Sequence, residues 1–309
     1  MSRPILSCCT GVTSDGLSAW FVPHHFLTYI IICSRRTKPL WLRRARIEMS
    51  RHSMSLTNRV VVITGASSGF GADIARKAVA QGAKVVLAAR STDKLQSLVT
   101  ELGGPTRALA VTADVTSDSD IEALVTAANA FGTVDTVINN AGFGVLDTLV
   151  DAPLVDLQRI MDVNVYGAVR CTRAFLPAMI ARGNGQIVMM ASMAGLVAAR
   201  NMAYYCASKF ALVAIGRTLQ QELNGTGVAC TIICPGVAQT GFQTHAPNEK
   251  YPKAAALSTC TSDQVAGAVI RALQRRTMGE VIVPGSSALL ARFSAAFPGI
   301  SRTIQNMIG

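Results

Sequence analysis

The chain has 309 residues, 50% of them hydrophobic and only 15% charged, enough apolar material for the core of one α/β domain of about 250 residues. The net charge of +11 suggests nucleic acid, but residues 1–53 hold eight Lys or Arg against Asp15 and Glu48, and the remaining surplus is spread thinly over a body poor in aromatics, which argues against it. Eight scattered cysteines without a C-x-x-C pair suggest neither a zinc site nor a disulfide framework and fit a reducing, cytoplasmic setting.

Residues 1–53 read as a leader. "LSAWFVPHHFLTYIIIC" (17–33) is apolar but broken by Pro23, His24 and His25, and "SRRTKPLWLRRAR" follows. A spanning helix needs roughly 20 apolar residues, so an anchor is marginal. An Arg-rich, acid-poor segment also suits a targeting peptide. A third reading is a disordered or dispensable leader with translation starting at Met49 or Met54. Membrane association is expected only through this leader, and one catalytic domain is expected over 54–309. His24 and His25 have no further ligands nearby and are read as non-metal.

From Arg59 the pattern alternates. "RVVVIT" is a β-branched run, followed by "GASSGFG" and a helix, "ADIARKAVAQG". Then come "AKVVLAA" with a helix near 92–102, "RALAVTA" with one near 117–130, and "VDTVIN" with a long helix near 154–182. "GQIVMMAS", a helix over 203–224, "GVACTIICPG", a helix near 262–274 and "GEVIVPG" complete the series. Seven continuously apolar strands separated by helices predict a parallel sheet buried on both faces. This is the doubly wound Rossmann architecture, with ligands beyond the carboxyl ends of the strands.

The first strand–helix junction is a phosphate site. Gly65, Gly69 and Gly71 leave room for backbone amides to approach a pyrophosphate at a helix N-terminus, and Thr64, Ser67 and Ser68 add hydroxyl donors beside Phe70. The spacing is G-x-x-x-G-x-G rather than G-x-G-x-x-G.

A series of ordered motifs over about residues 56–285 makes the chain resemble the classical short-chain dehydrogenases/reductases. "TGASSGFG" (64–71) is similar to the family's glycine turn, and "ADV" supplies Asp114, the expected adenine contact, and Val115. "NNAG" (139–142), with Asn140, Ala141 and Gly142, is similar to the element after the fourth strand, and Asn164 in "NVYG" to the family's helix asparagine. Ser192, 13 residues before Tyr205, and "YCASK" supply the serine, tyrosine and lysine. "PGVAQT" supplies Pro235, Gly236, Ala238 and Thr240, the last placed to touch the nicotinamide amide. Ala238 stands where the family often has Val or Ile, a small departure.

The resemblance implies an oxidoreductase that moves a hydride between a nicotinamide cofactor and an alcohol or carbonyl. Tyr205 lies one helical turn from Lys209, whereas the adjacent Tyr204 points about 100° away. A nearby ammonium favours the phenolate, so Tyr205 is expected as the acid/base, with Lys209 also anchoring the nicotinamide ribose. Ser192 is expected on the substrate oxygen, and Asn164 on a water that links Lys209 to solvent. Tyr204 is read as a packing or pocket-wall residue.

The second strand ends in Ala89 and Arg90, without the acid that would select NAD, so NADP is favoured. Phe143, Val145, Met193, Leu196 and Phe242 are expected to line an apolar substrate pocket, with 241–256 closing over it. That suits a lipophilic small molecule, and the family implies a homodimer or homotetramer. "SSALLARFSAAF" (286–297) is an amphipathic stripe expected to pack on its own domain or on a partner subunit. Two rivals remain: an extended-type epimerase, whose glycine motif and longer substrate domain are missing, and a non-catalytic NADP-binding regulator, which would usually lack the tyrosine or the lysine.

Overall fold

Strand β1 (Val60–Thr64) shows why the sheet lies inside the molecule. All five residues are buried, and they divide between two apolar layers. Val61 and Ile63 pack with Ile74, Leu95 and Val265, while Val60 and Val62 face the other way and pack with Leu124, Phe175 and Leu212. Side chains alternate along a strand, so a run that is apolar at every position needs cover on both faces.

The structure is a computed structural model that describes residues 54–238 and 258–308. After β1 come α1 (Gly69–Ala80), β2 (Lys84–Ala89), α2 (Thr92–Glu101), β3 (Ala108–Thr112), α3 (Asp118–Phe131) and β4 (Val134–Asn139). The second half runs through α4 (Leu154–Met161), α5 (Gly167–Arg182), β5 (Gly185–Met190), α6 (Ala203–Glu222) and β6 (Val228–Pro235). It closes with the short β7 (Val237–Ala238) and β8 (Thr259–Cys260), then α7 (Ser262–Arg275), β9 (Gly279–Val283), α8 (Ala288–Ala296) and α9 (Pro298–Ile308).

The main sheet has seven parallel strands in the order β3-β2-β1-β4-β5-β6-β9, the doubly wound architecture expected from the alternation. The order reverses between β1 and β4, where a crevice must open at the carboxyl ends. The pair β7–β8 forms a separate parallel ladder that the sequence pattern did not predict. Thr240, Phe242 and the segment 241–256 lie outside the described residues, as does the leader.

The helix expected over 154–182 is divided. Residues Asp162–Tyr166 adopt a π turn between α4 and α5, a local widening that recurs at functional sites. Elsewhere the helix starts follow local chemistry. Ser117 caps α3 by accepting a hydrogen bond from the Asp120 amide, and Thr261 with Gln264 forms a reciprocal capping box at α7.

Candidate active site

The floor of the crevice is built from backbone. Gly65 and Gly69 have φ of +63° and +53°, in the left-handed region where a side chain is strained. A Cβ on Gly65 would come within 2.8 Å of the Ala141 Cα. A Cβ on Gly71 would meet the Gly65 carbonyl oxygen at 2.5 Å, so Gly71 serves the close packing of α1 under the turn. Gly65, Ser67, Ser68, Gly69 and Phe70 face the cleft.

Thr64 departs from the expectation that it donates to a cofactor. Its hydroxyl accepts from the amides of Asn140 and Ala141, both at 3.0 Å, and lies buried between β1 and β4. Asn140 returns the tie by donating through Nδ2 to the carbonyls of Thr64 (2.9 Å) and Gly65 (3.1 Å). Two strand ends are thereby held together, and Thr64 is a fastener beneath the site.

One cleft of about 1150 Å³ runs from the glycine turn past the ends of β2, β3, β4, β5 and β6. Arg90, Asp114 and Val115 line it beyond β2 and β3; Asn140, Ala141 and Gly142 line it beyond β4; Pro235, Gly236 and Ala238 line it beyond β6. The Arg90 guanidinium is 80% exposed and lies 4.0 Å from an Asp114 carboxylate oxygen. The other Asp114 oxygen accepts from the backbone and hydroxyl of Thr116, which fixes the carboxylate at the end of β3.

At the other end of the cleft, Ser192, Tyr205 and Lys209 come together with Phe143, Val145 and Met193. Ser192 caps the short 3-10 turn Met193–Gly195 by accepting from the Ala194 amide at 3.1 Å, and it donates to the Pro235 carbonyl at 3.3 Å. Tyr205 and Lys209 share one face of α6, with the ammonium 5.7 Å from the centroid of the Tyr205 ring. Tyr204 turns away, packing near Leu146 and Ile160 and donating its hydroxyl to the Ala152 carbonyl at 3.0 Å.

Lys209 is buried and donates to the Met190 carbonyl at 2.9 Å. Loss of hydration pushes its ammonium down to about 8. Nearby, Gly142 makes room for Asn164: a Cβ there would stand 2.9 Å from Asn164 Oδ1, with Lys209 Nζ at an ordinary 3.6 Å.

Asn164 is fully buried. It does not line the cleft. Its Oδ1 accepts from the Phe143 amide, and its Nδ2 donates to the Phe143 carbonyl and the Ser208 hydroxyl, all at 3.0 Å. Both donor protons are used, so the π turn delivers an amide clamp that joins the Phe143 loop to α6. Leu196 also stands apart from the cleft and packs on the apolar layer of α5 and α6.

Sequence reasoning missed the outer wall. Leu290, Ala291, Phe293 and Ser294 of α8 and Ser301 of α9 line the same cleft. The amphipathic stripe at 286–297 was the available signal, but nothing in its spacing tells which surface it covers. Among the described residues no group of His, Cys, Asp or Glu is arranged to hold a metal. The buried thiols of Cys171, Cys230 and Cys234 are each pushed up to about 12 by burial, so they are inert.

The short chain dehydrogenase family matches residues 59–250. The chain is a short-chain dehydrogenase. Ketoacyl reductase HetN of Nostoc sp. is 40% identical over 234 residues, covering 74% of this chain and 79% of that protein. An uncharacterized oxidoreductase of Staphylococcus epidermidis is 37% identical over 183 residues, 59% of this chain and 79% of its own. Among solved structures, a short chain dehydrogenase/reductase of Burkholderia phymatum in complex with NAD superposes with a TM-score of 0.72 at 28% identity, covering 80% of this chain and 96% of that one. One of Mycobacterium marinum gives 0.67 at 27% identity, covering 75% and 96%. The chain is thus an oxidoreductase of the family that acts on alcohol and carbonyl groups of small molecules with NAD(H) or NADP(H). No described helix of this short-chain dehydrogenase is long and apolar enough to cross a membrane.

Proposed function

We propose that the chain is an NADP(H)-preferring oxidoreductase that interconverts an alcohol and a ketone or aldehyde on a lipophilic substrate, with Tyr205 as acid/base. The observation that carries this reading is the meeting of Ser192, Tyr205 and Lys209 in the cleft that begins at the glycine turn. The two left-handed glycines leave a cradle that fits a dinucleotide pyrophosphate, with Ser67, Ser68 and the start of α1 to hold it. When bound, the cofactor supplies or accepts the hydride.

Tyr205 gives its hydroxyl proton to the substrate oxygen during reduction and takes it back during oxidation. Lys209 favours the phenolate through its charge; lowering a phenol from about 10 to about 7 requires roughly 4 kcal/mol. Ser192 holds the substrate oxygen near the phenol. Asn164 is a positioning residue that keeps Phe143 and α6 in register through its clamp. Phe143, Val145 and Met193 present an apolar surface, which suits a ketoacyl chain or a comparable lipophilic carbonyl.

The NADP preference rests on Arg90 at the mouth beyond β2, where Ala89 brings no acid. The domain boundary rests on Met54, whose amide donates to the Gln274 carbonyl at the end of α7, and on the fully buried Leu56. Measuring NADPH and NADH consumption against a panel of carbonyls tests the reading. A protein that binds NADPH but reduces none of them, and oxidises none of the matching alcohols, is instead a binding protein.

A further inference from the structure

Side chains that hold this fold together are closed off from solvent, and two large apolar ones in the cleft are not. Leu290 and Phe293 of α8 each remain 40% exposed while facing into the cleft that contains Tyr205. Their neighbours Ala291 and Ser294 are buried, so α8 is anchored by the small residues and leaves the large ones open. The Phe293 ring packs against Phe297 with centroids 5.0 Å apart, which holds it in place before any ligand arrives.

The chemistry of this wall is narrow. The charged residues of α8 and α9, Arg292 and Arg302, are exposed and do not line the cleft. Apart from Leu290, Ala291 and Phe293, the described residues of the two helices offer it the hydroxyls of Ser294 and Ser301. A wall of this kind recognises hydrocarbon and has no side-chain cation for a carboxylate or phosphate. Concave apolar surface of this sort marks a ligand-binding site.

We propose that Leu290 and Phe293 are specificity-determining residues that bind the apolar tail of the substrate beyond its reacting carbonyl. The proposal rests on the reading above of Tyr205 as the reacting centre, and it adds the substrate class: carbonyls with an extended hydrocarbon chain in preference to short ones.

The test compares decanal with propanal, using NADPH, for the full chain and for Leu290→Ala and Phe293→Ala. Leu289→Ala, at a site 80% exposed and outside the cleft, is the control. Each cleft variant should lose about 10-fold in kcat/KM on decanal, mainly through KM, from the lost apolar contact. Propanal should stay within about twofold, and the control should change neither. Equal losses on both aldehydes, or unchanged decanal turnover, would overturn the proposal. A parallel titration follows the fluorescence of 11-(dansylamino)undecanoic acid. Wild type should bind it, and Phe293→Ala should weaken binding about 10-fold. If no carbonyl is turned over yet the probe binds in this Phe293-dependent way, the wall stands and the reaction assigned to Tyr205 falls. Failure of the probe to bind wild type refutes the wall.

Discussion

The two ends of the cleft are made of different material. The end at β1 is backbone: glycines at left-handed φ, amides at the start of α1, and strand ends tied by Thr64 and Asn140. The end at α8 is side chain: Leu290 and Phe293 stand half open on a helix anchored by its small residues. A surface of backbone can be altered only by disturbing the turn that forms it. A surface of side chains can be recut one residue at a time with the fold intact. One fold can therefore hold a constant cofactor and a variable substrate.

The group of Ser192, Tyr205 and Lys209 is the place to break this contrast most severely. Tyr205→Phe should leave fold and cofactor affinity in place while turnover falls by roughly 10²- to 10⁴-fold, as expected for loss of a general acid. Tyr204→Phe, which loses only the bond to Ala152, should stay within a few-fold. Steady-state kinetics of both variants decides it, and an exchange of their behaviour would reverse the assignment.

Lys209 gives the next largest effect. Its folded pKa of about 8 lies below the model-compound value of 10.5, so the native state binds fewer protons than the unfolded chain between those two values. The buried ammonium therefore costs stability below pH 8, and that cost fades as pH rises towards 10.5. Lys209→Met has no such titration. Urea unfolding of the two proteins should show the wild type gaining on the variant by up to about 3 kcal/mol between pH 7 and pH 10.5. A constant difference would mean that the ammonium keeps its hydration.

Arg90 sharpens the contrast, because there the cofactor end depends on a side chain. Arg90→Ala should weaken NADP(H) by about 10- to 150-fold, the worth of a charge-assisted hydrogen bond, and hardly change NAD(H). Adding Ala89→Asp should move preference towards NAD. Dissociation constants for both cofactors check this, and equal losses would show that Arg90 does not read a 2′-phosphate. The smallest effect belongs to the leader: a chain starting at Met54 should match the full chain in thermal midpoint and NADPH affinity. Insolubility or lost affinity would make residues 1–53 part of the domain.

What was legible in the sequence follows from how each feature is encoded. The glycine turn and the Tyr205–Lys209 pair could be read because a turn needs its glycines and a helix its period of 3.6. The sheet could be read because strands buried on both faces are apolar throughout. Thr64 was misread because the cleft-lining Gly65, Ser67 and Ser68 follow it closely, whereas its hydroxyl points across to the exit of β4, to a partner 76 residues away. The clamp made by Asn164 was hidden for a similar reason: its partners, Phe143 and Ser208, meet only after α4 and α6 pack around the π turn. The wall of α8 was invisible because an amphipathic stripe shows that a helix has a covered side without showing what covers it.

Strand β1 has a further consequence for how the site is indexed. Its five residues are buried on both faces, so sliding it by one position along β4 would exchange apolar side chains for apolar side chains at little cost. Hydrophobicity cannot set its phase. Two polar pins do. At the start, the Val60 amide donates to the Asp135 carboxylate at 3.0 Å, where the β1–β4 register shifts by one residue. At the finish, the Thr64 hydroxyl receives two amides from the β4 exit. The strand behaves like a ruler fixed at both ends, so Asp135, at the opposite end of β1 from the cleft, shares with Thr64 the task of holding Gly65 at its step.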